Sequence, residues 1–277
     1  MQRKAQWLAI VAGLAVVVLA FVTVFLVRRG DNPPSAAGCH FATTAAAAPA
    51  GTGVVVAEQG YTRIPSTETV VSMGAVLQNN TDKVAYRTRV TFDVVNAAGT
   101  SVVWENQRNF MVQEVPVILP GAKVAVGDAL ALTESARQDA GAVARVSITA
   151  TVTQWLAPGT GNTGLGAVTT KIVAGKGQRD ADGSGSITFT ANSANCAALA
   201  SRGTSMIFRD GTGKIVGGSL STSPAAGACQ PGASGEEAAN STLRSIPSSA
   251  DLDKTEVTAY CDHNRPPRTT ESGAPIN

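Results

Sequence analysis

The stretch Tyr86–Val94 alternates strictly: Tyr86, Thr88, Val90, Phe92 and Val94 fall on one side, and Arg87, Arg89, Thr91 and Asp93 on the other. A period of two marks a strand with one buried face, so the first set is expected to line a core. Ala144–Val152 repeats the pattern, with Val146, Ile148, Ala150 and Val152 opposite Arg145, Ser147, Thr149 and Thr151. Beyond Val27 no long segment keeps helical spacing, and the rest of the chain reads as all-β. Before it, Trp7 to Val27 carries no charged residue, which is long enough to cross a bilayer as a helix.

The strand pattern occurs twice. The first half runs from MGAVLQNNTDKVAYRTRVTFDVVNAAGTSVV through LPGAKVAV to ARVSITATV, and the second from GSITFTANSANCAALASRGTSMIFRDGTGKIV through QPGAS to KTEVTAYC. Each is strand, Asn-bearing turn, strand, Gly turn, strand, Pro-Gly and closing strand. Ala157–Gly166, APGTGNTGLG, reads as a flexible joint between them. The expected fold is all-β, two tandem Ig-like antiparallel β-sandwiches behind one N-terminal transmembrane helix. In order, the expected parts are a cytoplasmic amino terminus (1–6), the membrane helix (7–27) and a Pro/Ala/Gly-rich stalk (28–53). The first sandwich (54–156), a linker (157–168), the second sandwich (169–263) and a disordered tail (264–277) follow.

Met73–Val103 together with Pro120-Gly121 resembles the FxLYD family of small extracytoplasmic β-sandwich domains. The likeness lies in a Gly-x-Val strand, an Asn-rich turn, an alternating strand and a later Pro-Gly; Asn96–Gly99 stands where the family has an acidic turn, and the aromatic-leucine-tyrosine string is absent. The second copy follows the pattern more loosely. The resemblance implies an envelope protein of binding or scaffold type and brings no catalytic residues.

Charge and cysteines refine the location. With 22 Lys+Arg against 20 Asp+Glu the net charge is +2, and no basic run appears, so nucleic acid is not an expected partner. Arg28 and Arg29 close the apolar segment where a signal peptide would have its cleavage region, which favours a retained anchor and a membrane partner. AAGC, ending at Cys39, mimics a lipoprotein cleavage box, but RRGDNPPS separates it from the apolar run. Cys39, Cys196, Cys229 and Cys261 all follow the span, and four cysteines in a strand-rich region fit an oxidising exterior. The strand order puts Cys196, Cys229 and Cys261 at one pole of the second sandwich. Two disulfides are expected, one within that sandwich and one tying the stalk to it; of three connectivities, Cys196 to Cys229 with Cys39 to Cys261 is the one favoured.

Other chemistry is sparse. Asp180, Asp182 and Ser184 stand at the first, third and fifth positions of a calcium loop, with Gly185 at the sixth, but Ala191 replaces the bidentate acid at the twelfth. The repeat offers a second reading, a solvated turn leading into a strand. Asn79 matches a glycosylation acceptor at a place where a turn wants Asn. The two histidines, His40 and His263, leave little with which to activate a nucleophile, and Cys39-His40 with Cys261–His263 could supply a zinc set only as free thiols. No cofactor and no enzyme activity are expected. The function expected is an extracytoplasmic binding or scaffold module that meets an envelope protein or a cell-wall polymer; the alternative is an envelope-polymer hydrolase using paired carboxylates.

Overall fold

The computed structural model describes Cys39, Phe41, Ala45–Ala46, and residues 53–65, 68–157, 165–241, 243–263 and 275–277. The expected span at 7–27, most of the expected stalk, the middle of the joint and most of the tail lie outside the described residues. Among the described residues no helix is long and apolar enough to cross a membrane.

Fifteen strands are described: β1 (Ala45–Ala46), β2 (Val54–Ile64), β3 (Val70–Asn79), β4 (Val84–Val95), β5 (Val112–Ile118), β6 (Lys123–Ala131), β7 (Arg145–Leu156), β8 (Val168–Ile172), β9 (Gln178–Arg179), β10 (Gly185–Ser193), β11 (Ala200–Arg209), β12 (Ile215–Ser221), β13 (Gly232–Ala233), β14 (Glu237–Asn240) and β15 (Asp251–Asp262). The one described α-helix is the single turn Glu134–Gln138, capped by the Thr133 side chain. All paired strands are antiparallel and form four sheets: β1-β7-β4-β5, β2-β3-β6, β12-β11-β15, and β10 flanked by β8 and β9 on one edge and by β13 and β14 on the other. Pairing follows the same order in both halves. As β3 lies between β2 and β6, β10 lies between β8/β9 and β13/β14; as β4 lies between β5 and β7, β11 lies between β12 and β15.

The sheets stack in β-sandwich fashion. Val71, Met73, Ala75 and Leu77 of β3 meet Val90, Phe92 and Val94 of β4 in one core, and Ile187, Phe189 and Ala191 of β10 meet Met206 and Phe208 of β11 in another. The remaining faces of β3 and β11 close on each other: Val76 and Ala125 pack on Ile207 and Ile215, and β12 lies against β2, β3 and β6. The layers therefore run β4 sheet, β3 sheet, β11 sheet, β10 sheet, and Gly38–Asn277 is one compact unit. This explains why VVSMGAVL in β3 is buried on both faces.

At the middle interface the backbones themselves touch. Sheets packed through ordinary side chains sit ~10 Å apart. Here a Cβ placed on Gly127 would lie 2.0 Å from the Met206 carbonyl oxygen, and one on Gly218 would lie 2.3 Å from that of Met73. Glycine in a strand interior permits such approach, and serines then bond across the gap. Ser72 Oγ donates to Gly218 O (3.1 Å) and accepts from Gly218 N (2.9 Å), while Gly127 N donates to Ser205 Oγ (2.6 Å).

The alternation in β4 holds from Thr88 to Val94, with Val90, Phe92 and Val94 fully buried. Tyr86 departs from it. Arg87 takes φ +54°, a left-handed kink that swaps the strand's faces, so Ala85 joins the core while Tyr86 packs with Val84 and Leu156 on the opposite side. The equivalent place in β11 carries Gly203 at φ +103° with a shift of register. Two further segments differ from the expected plan. Ala45–Ala46, within the expected stalk, pairs with Trp155 and Leu156 of β7. The last residues of the expected disordered tail are fixed: Ile276 N donates to Val112 O at 3.1 Å, and the Asn277 amide exchanges hydrogen bonds with the Glu114 main chain. An apolar side chain beside β5 and an amide matched to a strand edge supply the anchoring that composition did not show.

Candidate functional site

All four cysteines are in disulfides, but paired differently from the expected connectivity. Cys39 joins Cys196, with Cα atoms 5.6 Å apart, and Cys229 joins Cys261, with Cα atoms 5.5 Å apart. One bridge within the second half and one tie to the amino-terminal segment are present as expected; the partners are exchanged. The reason lies in register: Cys261 sits opposite Ser201 near the end of β15, and the 3-10 turn Gly227–Cys229 packs on that strand, leaving Cys229 Sγ 3.9 Å from Tyr260 O. Cys196, in the β10–β11 connection, is left for Cys39. With every cysteine oxidised, no thiolate remains for zinc.

Asp180, Asp182 and Ser184 form the tight turn that joins β9 to β10. Ser184 Oγ donates to Asp182 Oδ1 (2.6 Å) and to Asp180 Oδ2 (3.2 Å), and Arg244 Nε stands 3.6 Å from Asp182 Oδ2. The Ser184 hydrogen bonds hold the Asp182 carboxyl below its ordinary range. Among the described residues no three His, Cys, Asp or Glu side chains gather as a metal site. Asn79 is fully buried: Nδ2 donates to the carbonyls of Lys83, Ile118 and Leu119, and Oδ1 accepts from Thr81. It locks the β3–β4 turn, as the turn reading expects.

Two buried carboxylates do come together, around an arginine. Arg202 Nη1 donates to Glu114 Oε1 (2.7 Å) and Asp262 Oδ2 (3.0 Å), and Nη2 donates to Asn277 O (2.6 Å). Tyr86 donates to Asp262 Oδ1 (2.7 Å), and the His263 ring stacks between Tyr86 and Phe41 at centroid distances of 5.1 and 5.8 Å. Burial and the adjoining Asp262 carboxylate push the Tyr86 hydroxyl well above its ordinary value. The acids share the Arg202 guanidinium group inside a packed seam, and Arg87 Nε stands 3.7 Å from Asp262 Oδ2, so two cations face the two carboxylates.

A different arrangement occurs at Asp128, near the middle of β6. It stands in the wall of a cavity of about 470 Å³, together with Phe110, Leu220, Thr222, Leu243 and Ile276. Asp128 Oδ1 accepts from Ala129 N at 2.7 Å, whereas Oδ2 is buried with no hydrogen-bond partner. Burial pushes the carboxyl up to about 8, opposed only by that backbone bond, so it is mostly protonated at neutral pH. Phe110 and Leu243 are 46% and 39% exposed, so the cavity has an apolar rim. Neither a paired acid nor a histidine marks this site in the sequence. Its signal is a lone acid in an otherwise apolar strand, KVAVGDALA, where an unpaired charge is costly.

No family model matches the chain, and no curated protein and no solved structure is significantly similar to it.

Proposed function

We propose that this chain is a membrane-anchored extracytoplasmic binding or scaffold protein of the cell envelope. It is built as two tandem Ig-like, FxLYD-like sandwiches behind a helix at Trp7–Val27. The observation that carries the reading is the pair of disulfides, Cys39–Cys196 and Cys229–Cys261, in an all-β body that follows an uncharged 21-residue apolar run within 277 residues. A reducing cytosol does not maintain such bridges, and the apolar run has membrane-spanning length. The partner is an envelope protein or a cell-wall polymer, met through the loops at the sandwich ends. The buried acids Glu114 and Asp262 are held by Arg202, which suits a structural clamp and leaves the binding role as the simpler account.

The test expresses the full chain in a bacterial membrane and adds protease to spheroplasts. The expected result is digestion from outside, with both bridges intact on a non-reducing gel. Protection of the carboxyl-terminal part, or reduced cysteines in freshly trapped protein, overturns the proposal.

A further inference from the structure

β2 departs from its own pattern after its first residues. Val54 and Val56 pack against the core of the first sandwich. A register shift between Val56 and Glu58 then sets Gln59 and Tyr61 opposite Ala75 and Met73, two core residues of β3. Residues directly opposite share a face of the sheet, so Gln59 and Tyr61 stand on the side that lines the core. Gly60 between them faces the other way, where an added Cβ would lie 2.0 Å from Ile215 O. Yet Gln59 is exposed and Tyr61 is 43% exposed. An aromatic ring left open on the core side of a strand gives up burial, and departures of that kind concentrate at functional sites.

The hollow beside them has a volume of about 570 Å³, within the range of small-ligand sites. Val146 and Ile148 of β7 give it apolar surface, and Gly60 and Ala144 add little side chain. Arg145, which opens β7, and Lys214, in the turn before β12, give it charge. Both are exposed, and neither forms an ion pair with another described residue. All of these residues lie in described stretches; the nearest in sequence outside them, 66 and 67, follow the end of β2. No acid lines the hollow, and the acids beside it in sequence are engaged. Glu58 accepts from Arg209 Nη1 (2.7 Å) and Nη2 (3.0 Å), and Asp210 accepts from Thr212 Oγ1 (2.6 Å). Charges on strand edges also discourage edge-to-edge pairing, and β2 is an edge. That role needs the cations alone and leaves the open Tyr61 ring unexplained.

A ring face and two cations in one hollow match a compact unit with a flat apolar side and an anion. An acidic sugar has both: its C–H face lies on an aromatic ring while its carboxylate takes a guanidinium or an ammonium group. An acidic peptide offers the anion without the ring face. We infer that this hollow binds a carboxylated sugar unit of an envelope polysaccharide, with Tyr61 against the sugar ring and Arg145 and Lys214 at the carboxylate. The inference rests on the binding reading above and names the chemistry of its cell-wall partner.

The experiment is calorimetric titration of the full chain in neutral lipid nanodiscs, against empty nanodiscs, with tetragalacturonate at pH 7 and about 0.15 M salt. Saturable binding is expected, with neutral maltotetraose at least about tenfold weaker. Arg145→Gln and Lys214→Gln should each weaken it about threefold and together about tenfold, and Tyr61→Ala about threefold or more. These side chains are exposed, so thermal unfolding should be nearly unchanged. Lys171→Gln, an exposed cation on β8 outside the hollow, should leave affinity as it was. No saturable binding of tetragalacturonate, equal affinity for maltotetraose, or a double variant within about twofold of the parent would overturn the inference. So would an equal loss in Lys171→Gln, unchanged affinity in Tyr61→Ala, or tighter binding of hexaglutamate, which would mark an acidic-peptide site. A protease result placing the body in the cytoplasm would remove the envelope reading and leave the titration as measured; a failed titration would leave the topology standing.

Discussion

Adding one methyl group at Gly127 should unseat the middle of the molecule. The new Cβ of Gly127→Ala would stand 2.0 Å from Met206 O, 2.6 Å from Ser219 N and 2.8 Å from Gly218 Cα, and all three are main-chain atoms that no rotamer change can move. Comfortable contact needs ~3.5 Å, so the β3 and β11 sheets must part by more than an ångström. Parting stretches the bonds that hold them, Gly127 N to Ser205 Oγ at 2.6 Å and Gly218 N to Ser72 Oγ at 2.9 Å. Overpacking costs about 1–3 kcal/mol, and each buried group left unpaired about 1–3 kcal/mol more. The expected loss is thus about 3–5 kcal/mol, which lowers Tm by roughly 10 °C in a body of this size. Thermal unfolding of the full chain, followed by circular dichroism, measures it. Gly235→Ala is the control, since nothing lies within 4 Å of its added Cβ. A Gly127→Ala protein within about 0.5 kcal/mol of the parent would refute backbone contact between the sheets.

Three other outcomes are expected. Arg202→Met takes the guanidinium from the buried Glu114 and leaves Asp262 only the more distant Arg87, and should cost about 3–5 kcal/mol in urea unfolding, much of it regained when Glu114→Gln and Asp262→Asn are added. The Asp128 carboxyl is raised from 3.8 to about 8 by folding, so its contribution is intact below pH 4 and is lost as pH climbs toward 8, at about 1.4 kcal/mol per pH unit; Asp128→Asn should flatten that slope between pH 5 and pH 8. Non-reducing peptide mapping should recover Cys39 with Cys196 and Cys229 with Cys261. With separations of 157 and 32 residues, losing the first bridge should destabilise more than losing the second, by the chain-entropy estimate about 5 against about 4 kcal/mol.

The period-two pattern made Val90, Phe92, Val94, Val146 and Ile148 legible as core, because a half-buried strand writes its burial into alternate positions. The repeat was legible too, since the order of pairing around β3 and β4 returns around β10 and β11. Tyr86 was misplaced because nothing in the sequence marks Arg87 as left-handed, and one kink reassigns a whole strand end. The cysteine pairing failed for a related reason. The closing strand runs further than the alternating stretch shows: β7 continues to Leu156, which pairs with Val84 as Cys261 pairs with Ser201 at the start of the partner strand. The cavity stayed hidden because its walls meet only in three dimensions. The glycines of MGAV, VGDA and VGGS did carry a signal, for a glycine inside a strand marks close approach of another backbone.

Those glycines also bear on the cavity. Phe110 and Asp128 come from the first half of the chain, Leu220, Thr222 and Leu243 from the second, and Ile276 from its end. The wall of the cavity is thus assembled by the same docking that brings Gly127 against Met206, and Asp128 is the next residue along β6. Cys39–Cys196, the Arg202 clamp and the anchored Asn277 all span the same assembly, each joining segments far apart in sequence.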